Sequence, residues 1–267
     1  MPDVHSKSSL RIYIRPALIR IGALAALLSS IALPVHAADP TAAAQHVAVF
    51  AAASLTDAFK SLGGAFERAH PGATVELNFG ASSTLVQQIR DGAPADVFAS
   101  ADEANMQKAA DAGDLALPAR IFAQNRLVIA VPAGNPAHIA SLADLTKSGL
   151  TLALAAPQVP AGKYAAEAFG KAGLAVPPAS QELDVRAVLN KVAMREVDAG
   201  IVYVTDVRAA GGKVEAIAIP DQYNVTARYP IAVLKQTADA RGATAFVDYV
   251  LSPAGQAQLR EFGFLPP

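Results

Sequence analysis

The sequence predicts an α/β fold in which mostly parallel sheets are flanked by helices, and two observations indicate it. Short apolar runs that suit buried strands alternate along the chain with stretches whose apolar residues recur at helical spacing. Parallel strands need crossover connections of this kind, so the alternation favours parallel sheets with helices on both faces. The 230 residues after position 37 are enough for one large domain or two smaller ones, and no Pro- or Ser-rich linker interrupts them.

The individual elements follow from local patterns. Val47–Phe50 is a short apolar run typical of a buried strand, and Leu55, Phe59, Leu62 and Phe66 then recur on one face of a helix. By the same criteria, strands are expected at residues 47–50, 75–79, 97–99, 127–131, 152–155, 201–203, 216–219 and 231–234. Helices are expected at residues 55–66, around 85–89, and at 105–112, 164–171, 185–195, 243–251 and 254–262.

The first 37 residues have the composition of a secretory signal peptide. Four basic residues precede an apolar stretch from Ile21 to Leu33, and small residues follow as far as Ala37. The apolar stretch is shorter than the ~18–20 residues with which a helix spans a bilayer. We therefore expect cleavage near Ala37 and export to the periplasm, with an uncleaved anchor as the alternative.

Charge, cysteine content and missing motifs exclude several classes of protein. Beyond residue 37 the chain has 18 basic and 22 acidic residues, which argues against a nucleic-acid partner. There is no cysteine, so the exported chain has neither a lipid-anchoring cysteine nor disulfides and must rely on a large core. No nucleophile elbow, phosphate-binding loop, dinucleotide fingerprint or zinc-protease motif occurs. The sequence therefore gives no support for an enzyme.

Small and hydroxyl-bearing residues occur where several predicted strands lead into helices. The N-terminus of a helix exposes unpaired backbone N–H groups and the positive end of the helix dipole, which together bind anions. The alternative is that Ser54 and Ser82 are simple N-caps, with Asp57 completing a capping box around Ser54. The junctions are Ala52–Asp57, Gly80–Leu85, Val159–Tyr164 and Asp184–Arg186.

These segments, in this order, resemble the periplasmic molybdate-binding proteins, and the resemblance covers nearly the whole chain after the signal segment. The matching segments are FAAASLT at 50–56, FGASSTL at 79–85, GAPADVF at 92–98, VPAGKYA at 159–165, DVR at 184–186, GIVY at 200–203 and FGF at 262–264. The resemblance implies a two-lobed periplasmic binding protein fold with a ligand cleft between the lobes. Lobe one would comprise residues 38–125 and 230–267, and lobe two residues 126–229.

The resemblance also implies a site and a ligand. The hydroxyl and backbone N–H groups of Ser54 and Ser82, the backbone N–H groups of Ala161 and Val185, and the Tyr203 hydroxyl would bind the oxyanion. Ser82 is preferred to the next serine by counting from the start of its motif. The ligand would be molybdate or tungstate, with molybdenum present only within the oxyanion and no other cofactor. A monomer that delivers its ligand to the membrane permease of an ABC transporter is expected.

Residue chemistry alone leaves alternatives open. A site of neutral donors suits a dianion that only accepts hydrogen bonds, and it leaves the proton of a protonated phosphate unpaired at ~1–3 kcal/mol. Sulfate also only accepts, so the alternatives include a binding protein for sulfate, another oxyanion or a chelated metal. A hydrolase with Ser54 or Ser82 as nucleophile is a further alternative, although no histidine lies near either in sequence.

Tyr203 could be a core residue. Asp96 and Asp206 are expected to be structural, because a carboxylate in the cleft would repel an anion.

Overall fold

The computed structural model describes residues 46–267, so the predicted signal peptide and its cleavage position lie outside it. The described residues form nine strands: β1 His46–Ala52, β2 Thr74–Gly80, β3 Val97–Ala99, β4 Arg120–Pro132, β5 Leu152–Ala155, β6 Ser180–Glu182, β7 Ala199–Tyr203, β8 Val214–Ala218 and β9 Thr226–Val233. They also form eight α-helices: α1 Thr56–Ala69, α2 Ser82–Arg90, α3 Glu103–Asp111, α4 Pro160–Lys171, α5 Val185–Ala193, α6 Val204–Ala209, α7 Ala240–Leu251 and α8 Pro253–Glu261. Two short 3-10 helices cover Ala53–Leu55 and Leu142–Thr146.

The strands join in one curled sheet of order β2-β1-β3-β9-β4-β7-β5-β6, with β8 paired to β4. At one end β1 is parallel to β2 and β3, and at the other β5 is parallel to β6 and β7. Between them, β9 and β4 pair antiparallel with each other and with their outer neighbours. The predicted α/β fold is confirmed, but the sheet is mixed rather than mostly parallel because β4 and β9 cross between its two parallel ends.

Strand β4 is the element that connects the two ends of the sheet. Its first half, Arg120–Arg126, pairs with β9, whereas Leu127–Ala130 pairs with β7. Sequence analysis predicts only the apolar second half, because the first half mixes charged and polar residues with buried ones. Because its pairing partner changes along its length, this one strand connects the two ends of the sheet.

The parallel registers bring several helix starts to the same edge of the sheet. Ala52 of β1 lies opposite Gly80 of β2, so the segments that begin at Ala53 and Ala81 leave adjacent strands side by side. At the other end Ala155 of β5 lies opposite Glu182 of β6, just before α4 and α5 begin. Ligands of open α/β sheets bind at this carboxyl edge of the strands.

Helix faces that were predicted from periodicity are buried against the sheet. In α1, Ala58, Phe59, Leu62 and Phe66 are all inaccessible or nearly so. Phe59 packs against Phe122 of β4, with ring centroids 5.7 Å apart. Within residues 46–267, no helix combines the length and apolar character that crossing a bilayer requires.

The packing of α4 against β5 depends on Gly162. A Cβ at this position would meet the backbone carbonyl oxygens of Ala155 and Ala156, which cannot rotate away as a side chain can. We expect Gly162→Ala to lower the free energy of unfolding by about 1–3 kcal/mol through overpacking. Gly170 of the same helix has open space at its Cβ position, so Gly170→Ala should be neutral or stabilise by up to about 1 kcal/mol. Urea unfolding of the two variants tests this, and equal effects would contradict the close approach of α4 to β5.

Candidate functional site

All five residues that the sequence predicts for the site line one small pocket. Ser54 lies in the 3-10 turn after β1, and Ser82 is the first residue of α2. Ala161 is the second residue of α4, Val185 the first of α5, and Tyr203 the last of β7. Each is 4% exposed or less. The empty space at this pocket is about 210 Å³, which includes open solvent at its mouth, so the pocket has no room for a large organic ligand.

Apart from the carboxylate of Asp184, the polar side chains of the lining are the neutral hydroxyl groups of two serines and one tyrosine. The first N–H groups of a helix have no acceptor within that helix, and four helical segments begin at this pocket. Small residues such as Ala53, Gly80 and Ala101 let a ligand approach the backbone closely. Among the described residues, no lysine or arginine lines the pocket. The carboxylate of Asp184 accepts a hydrogen bond from the N–H of Ala187 at 2.9 Å, so it caps α5.

The two serines do not cap helices, so the capping interpretation is wrong. The N-cap of α1 is Leu55 and that of α2 is Ala81, and neither has a side-chain capping bond. A 3-10 turn separates Ser54 from α1, and Ser82 lies one position inside α2. The Ser54 Oγ instead lies 3.0 Å from the Tyr229 Oη, and the Ser82 Oγ accepts a hydrogen bond from the N–H of Ala101 at 2.9 Å.

The neighbouring serine provides a check on the register. Ser82 is fully buried and lines the pocket, whereas Ser83 is half-buried and lies outside the pocket lining. Of these two serines, Ser82 is therefore the one placed to contact a ligand in the pocket.

Tyr203 combines a ring that belongs to the hydrophobic core with a hydroxyl group at the pocket. Its ring is buried, and its Oη has no hydrogen-bond partner among the described residues. Burial raises the pKa of Tyr203 well above its usual value, so the hydroxyl keeps its proton. A buried, unpaired hydroxyl costs ~1–3 kcal/mol, which an acceptor in the pocket would remove.

A network of charges holds three of the site segments together just outside the pocket. Arg186, which follows Val185, contacts the Asp57 Oδ2 at 2.7 Å through Nη2 and the Asp206 Oδ1 at 2.8 Å through Nε. The other oxygen of Asp206 accepts a hydrogen bond from the N–H of Tyr203 at 3.0 Å. Burial raises the pKa of Asp206 to about 6, while Arg186 opposes the rise. The carboxylate is therefore mostly ionised at neutral pH and neutralises the arginine.

Asp96 and Asp206, the two aspartates that were expected to be structural, both have structural partners, and those of Asp206 are Arg186 and the N–H of Tyr203. The carboxylate of Asp96 accepts hydrogen bonds from the N–H of Ala48 and from the hydroxyl of Thr237, which join β1 to the segment after β9. Asp57, which was considered as part of a capping box, is instead paired with Arg186.

Sequence analysis did not find the residues that support the two serines. Ala101 lies between β3 and α3, at another strand-to-helix junction. Its place at such a junction is the feature of the sequence from which its position at the site could have been predicted. Tyr229 lies on β9, 175 residues from its partner Ser54, and no local pattern predicts their contact.

The arrangement offers hydrogen bonds to an anion but little for catalysis. The oxygen partners of Ser54 and Ser82 are a tyrosine hydroxyl and a backbone N–H, and neither is a general base at neutral pH. No group of three or more potential metal ligands occurs in the part of the chain that the structure describes.

An α/β fold with a small pocket at the carboxyl edge of its strands is the arrangement expected of a solute-binding protein. A family model of bacterial extracellular solute-binding proteins matches residues 47–265, and the chain belongs to this family. The chain is 44% identical over 230 residues to the molybdate-binding protein ModA of Mycobacterium tuberculosis, which covers 86% of this chain and 88% of that protein.

Solved structures of two binding proteins share the fold. The periplasmic molybdate-binding protein of Azotobacter vinelandii superposes with a TM-score of 0.72 at 23% identity, over 83% of this chain and 99% of that one. The sulfate-binding protein SubI of Mycobacterium tuberculosis superposes with a TM-score of 0.73 at 21% identity, over 83% and 87%. At these identities the likeness concerns the fold alone. The predicted two-lobed fold is confirmed.

Loss of Arg186 should destabilise the protein most at neutral and alkaline pH. In Arg186→Met, the buried carboxylate of Asp206 loses its partner, which costs ~3–5 kcal/mol where that carboxylate is ionised. The pKa of Asp206 would rise further from about 6. At pH 5 the group is protonated in both folded proteins, so the difference in stability should be small there and grow as the pH rises above about 6.

Urea unfolding at pH 5 and pH 8 measures this difference. Asp57→Asn is the control, because it removes the half-exposed partner of the same arginine and should cost less than ~1 kcal/mol at either pH. A pH-independent loss in Arg186→Met would show that the arginine acts through packing and not through Asp206.

Proposed function

We propose that this protein captures molybdate or tungstate outside the cytoplasm and delivers it to the membrane permease of an ABC transporter. The observation that carries the proposal is the convergence of five donor residues on one small, buried pocket without a lysine or arginine in its described lining. The 44% identity to a molybdate-binding protein supports the choice of ligand. The first 37 residues would be removed on export, and the remaining chain would act as a monomer without a cofactor.

Each donor has a defined part in the proposed site. The hydroxyls of Ser54, Ser82 and Tyr203 and the backbone N–H groups of Ser54, Ser82, Ala161 and Val185 would bind the oxygens of the anion. Hydrogen bonds to a charged acceptor are about twice as strong as neutral ones. The positive ends of the helix dipoles would compensate the charge of the dianion where no cationic side chain does so.

We place the lobes at residues 38–125 with 230–267, and at 126–229. One observation supports this division. Strand β4 exchanges its partner β9 for β7 between Arg126 and Leu127. The ion pair of Arg186 with Asp57 then joins the lobes beside the pocket, where closure around a ligand would form it.

The proposed function is not enzymatic, and sulfate is the second candidate ligand. A serine nucleophile would need a nearby base, and the hydrogen-bond partners of Ser54 and Ser82 provide none. Sulfate accepts hydrogen bonds as molybdate does, and a sulfate-binding protein shares the fold. Because the donors suit both anions, the fit of the larger molybdate to the pocket has to distinguish them.

Molybdate and tungstate should stabilise the protein against heat at micromolar concentrations. A ligand that binds only the folded state adds ~2.7 kcal/mol at about 100 times its Kd. For a chain of this size, that raises the Tm by roughly 5–10 °C. Thermal unfolding with molybdate, tungstate, sulfate and phosphate measures the effect. If sulfate raises the Tm as much as molybdate does, the proposed ligand is wrong. The broader proposal of an oxyanion-binding protein would still stand.

Ser54→Ala and Ser82→Ala should each weaken molybdate binding by roughly 10- to 150-fold. Each removes one hydroxyl donor to a charged acceptor, which contributes ~1.5–3 kcal/mol, while the backbone N–H groups remain. Isothermal titration calorimetry provides the affinities. Ser83→Ala is the matched control, since the half-buried Ser83 lies outside the pocket and should bind as the wild type does. A loss in Ser83→Ala without one in Ser82→Ala would move the site by one residue.

A further inference from the structure

Asp184 is the one charged residue in the described lining of the ligand pocket, and its charge is negative. It is half-buried, and it comes directly before Val185, whose backbone N–H is a proposed donor to the oxyanion. A carboxylate repels an anion that lies close to it. The presence of Asp184 at this position therefore needs a physical reason.

Capping of α5 explains the side chain of Asp184 but not its charge. Asp184 is the N-cap of this helix, and its Oδ1 accepts a hydrogen bond from the N–H of Ala187 at 2.9 Å. Its Oδ2 forms no hydrogen bond with any described residue. Asparagine caps helices about as well as aspartate does. A neutral side chain of the same shape would therefore cap the helix and leave the pocket without a negative charge.

No cation in the described part of the chain balances this carboxylate. Asp184 takes part in no ion pair there. Arg186 is two residues away, but its guanidinium contacts Asp57 and Asp206. The charge of the arginine is already matched by those two carboxylates, so the charge of Asp184 acts on the pocket without a counter-ion.

The geometry of a helix start brings this charge close to a bound anion. Val185 is the first residue of α5 and Ala187 is the third, so their N–H groups belong to the same turn. A turn rises about 5.4 Å on a radius of about 2.3 Å, so a carboxylate on one N–H and an anion on the other lie roughly 5–8 Å apart. Even with the dielectric constant of water and screening by salt, one carboxylate at that distance weakens the binding of a dianion by about 3- to 15-fold. A monoanion carries half the charge and loses only about 2- to 4-fold.

We infer that Asp184 is a specificity-determining residue whose carboxylate lowers the affinity of the pocket for tetrahedral dianions and lowers it less for monoanions of the same shape. The inference rests on the proposed function. The neutral donors provide the binding, and Asp184 sets how tightly a dianion is held. Because differences in affinity between variants of one site lie mostly in the dissociation rate, the carboxylate shortens the time for which the ligand stays bound. This suits a protein whose proposed task is to pass its ligand on.

The test is Asp184→Asn, which keeps a capping oxygen and removes the charge. The two probes are molybdate, a dianion, and perrhenate, a tetrahedral monoanion of similar size. Isothermal titration calorimetry at neutral pH should show molybdate binding tightened by about 3- to 15-fold and perrhenate binding by only about 2- to 4-fold. Competition against bound molybdate measures perrhenate where its own heat is too small. Equal gains for the two probes would overturn the inference, because the free energy of a charge effect doubles with the charge of the ligand.

Asp239→Asn is the matched control. Asp239 is also a half-buried N-cap, and its Oδ1 accepts a hydrogen bond from the N–H of Gly242 at 2.8 Å, but it begins α7 and lies outside the pocket lining. This variant removes the same charge from the protein and should leave both affinities unchanged. An equal gain in the control would mean that the net charge of the protein acts rather than Asp184, and the inference would be wrong.

Asp184→Ala separates the loss of charge from a second source of tighter binding, since the amide group of an asparagine could itself donate to the anion. Alanine has neither a donor nor a capping oxygen, so this variant should have a lower Tm. Its molybdate affinity should still rise, and this comparison needs no second probe. A gain confined to Asp184→Asn would come from the amide and would contradict the inference. Weaker molybdate binding in both variants would show that Asp184 only holds the start of α5, which also contradicts it.

The remaining outcomes separate the inference from the proposed function. Unchanged molybdate affinity in Asp184→Asn would refute the inference and leave the proposed function intact. A wild-type protein that binds no oxyanion would refute the proposed function, and the inference would fall with it. The two failures are distinguishable, because the same titrations measure the wild-type protein beside each variant.

Discussion

The unpaired N–H groups at the starts of helices are the constraint on which the rest of the site depends. They need an acceptor wherever they are buried, and the structure gathers several at one edge of the sheet. The parallel register of β1 with β2 and of β5 with β6 produces this arrangement. Because the strands of each pair end side by side, the helical segments that follow them also begin side by side. Small residues between strand and helix keep the lining open. The carboxyl edge of the sheet is therefore an anion-binding surface before any side chain contributes.

The arginine that follows Val185 in the sequence does not supply positive charge to the pocket. Arg186 follows Val185 directly, yet its guanidinium contacts Asp57 and Asp206 and does not line the pocket. Its charge is balanced by these carboxylates, and it ties the segments of Ser54, Val185 and Tyr203 into one assembly. A site of neutral donors then distinguishes its ligands by the direction of hydrogen bonds rather than by attraction to charge.

The features that the sequence predicts well are those that depend on neighbours along the chain. Strands such as β3 and β5 are short apolar runs and match their predicted bounds. The antiparallel course of β9 and the polar half of β4 were not predicted, since pairing between distant segments decides them. The role of Ser54 shows the same limit. Its local pattern resembles an N-cap, but the partner of its oxygen is Tyr229, far along the chain.

The neutral donors also bear on what drives closure of the proposed lobes. Bringing the helix starts of both lobes together places several N–H and O–H donors around one small volume. Without an acceptor among them, each buried donor costs ~1–3 kcal/mol, whereas water satisfies the same groups when the lobes are apart. The partly exposed ion pairs between the lobes, Arg186 with Asp57 and Arg228 with Glu103, contribute only ~0–1 kcal/mol each, which is too little to offset several unpaired donors. Closure of such a protein therefore depends on a ligand that accepts from all of them at once, and an oxyanion with four acceptor oxygens meets that condition where a donor-bearing solute does not.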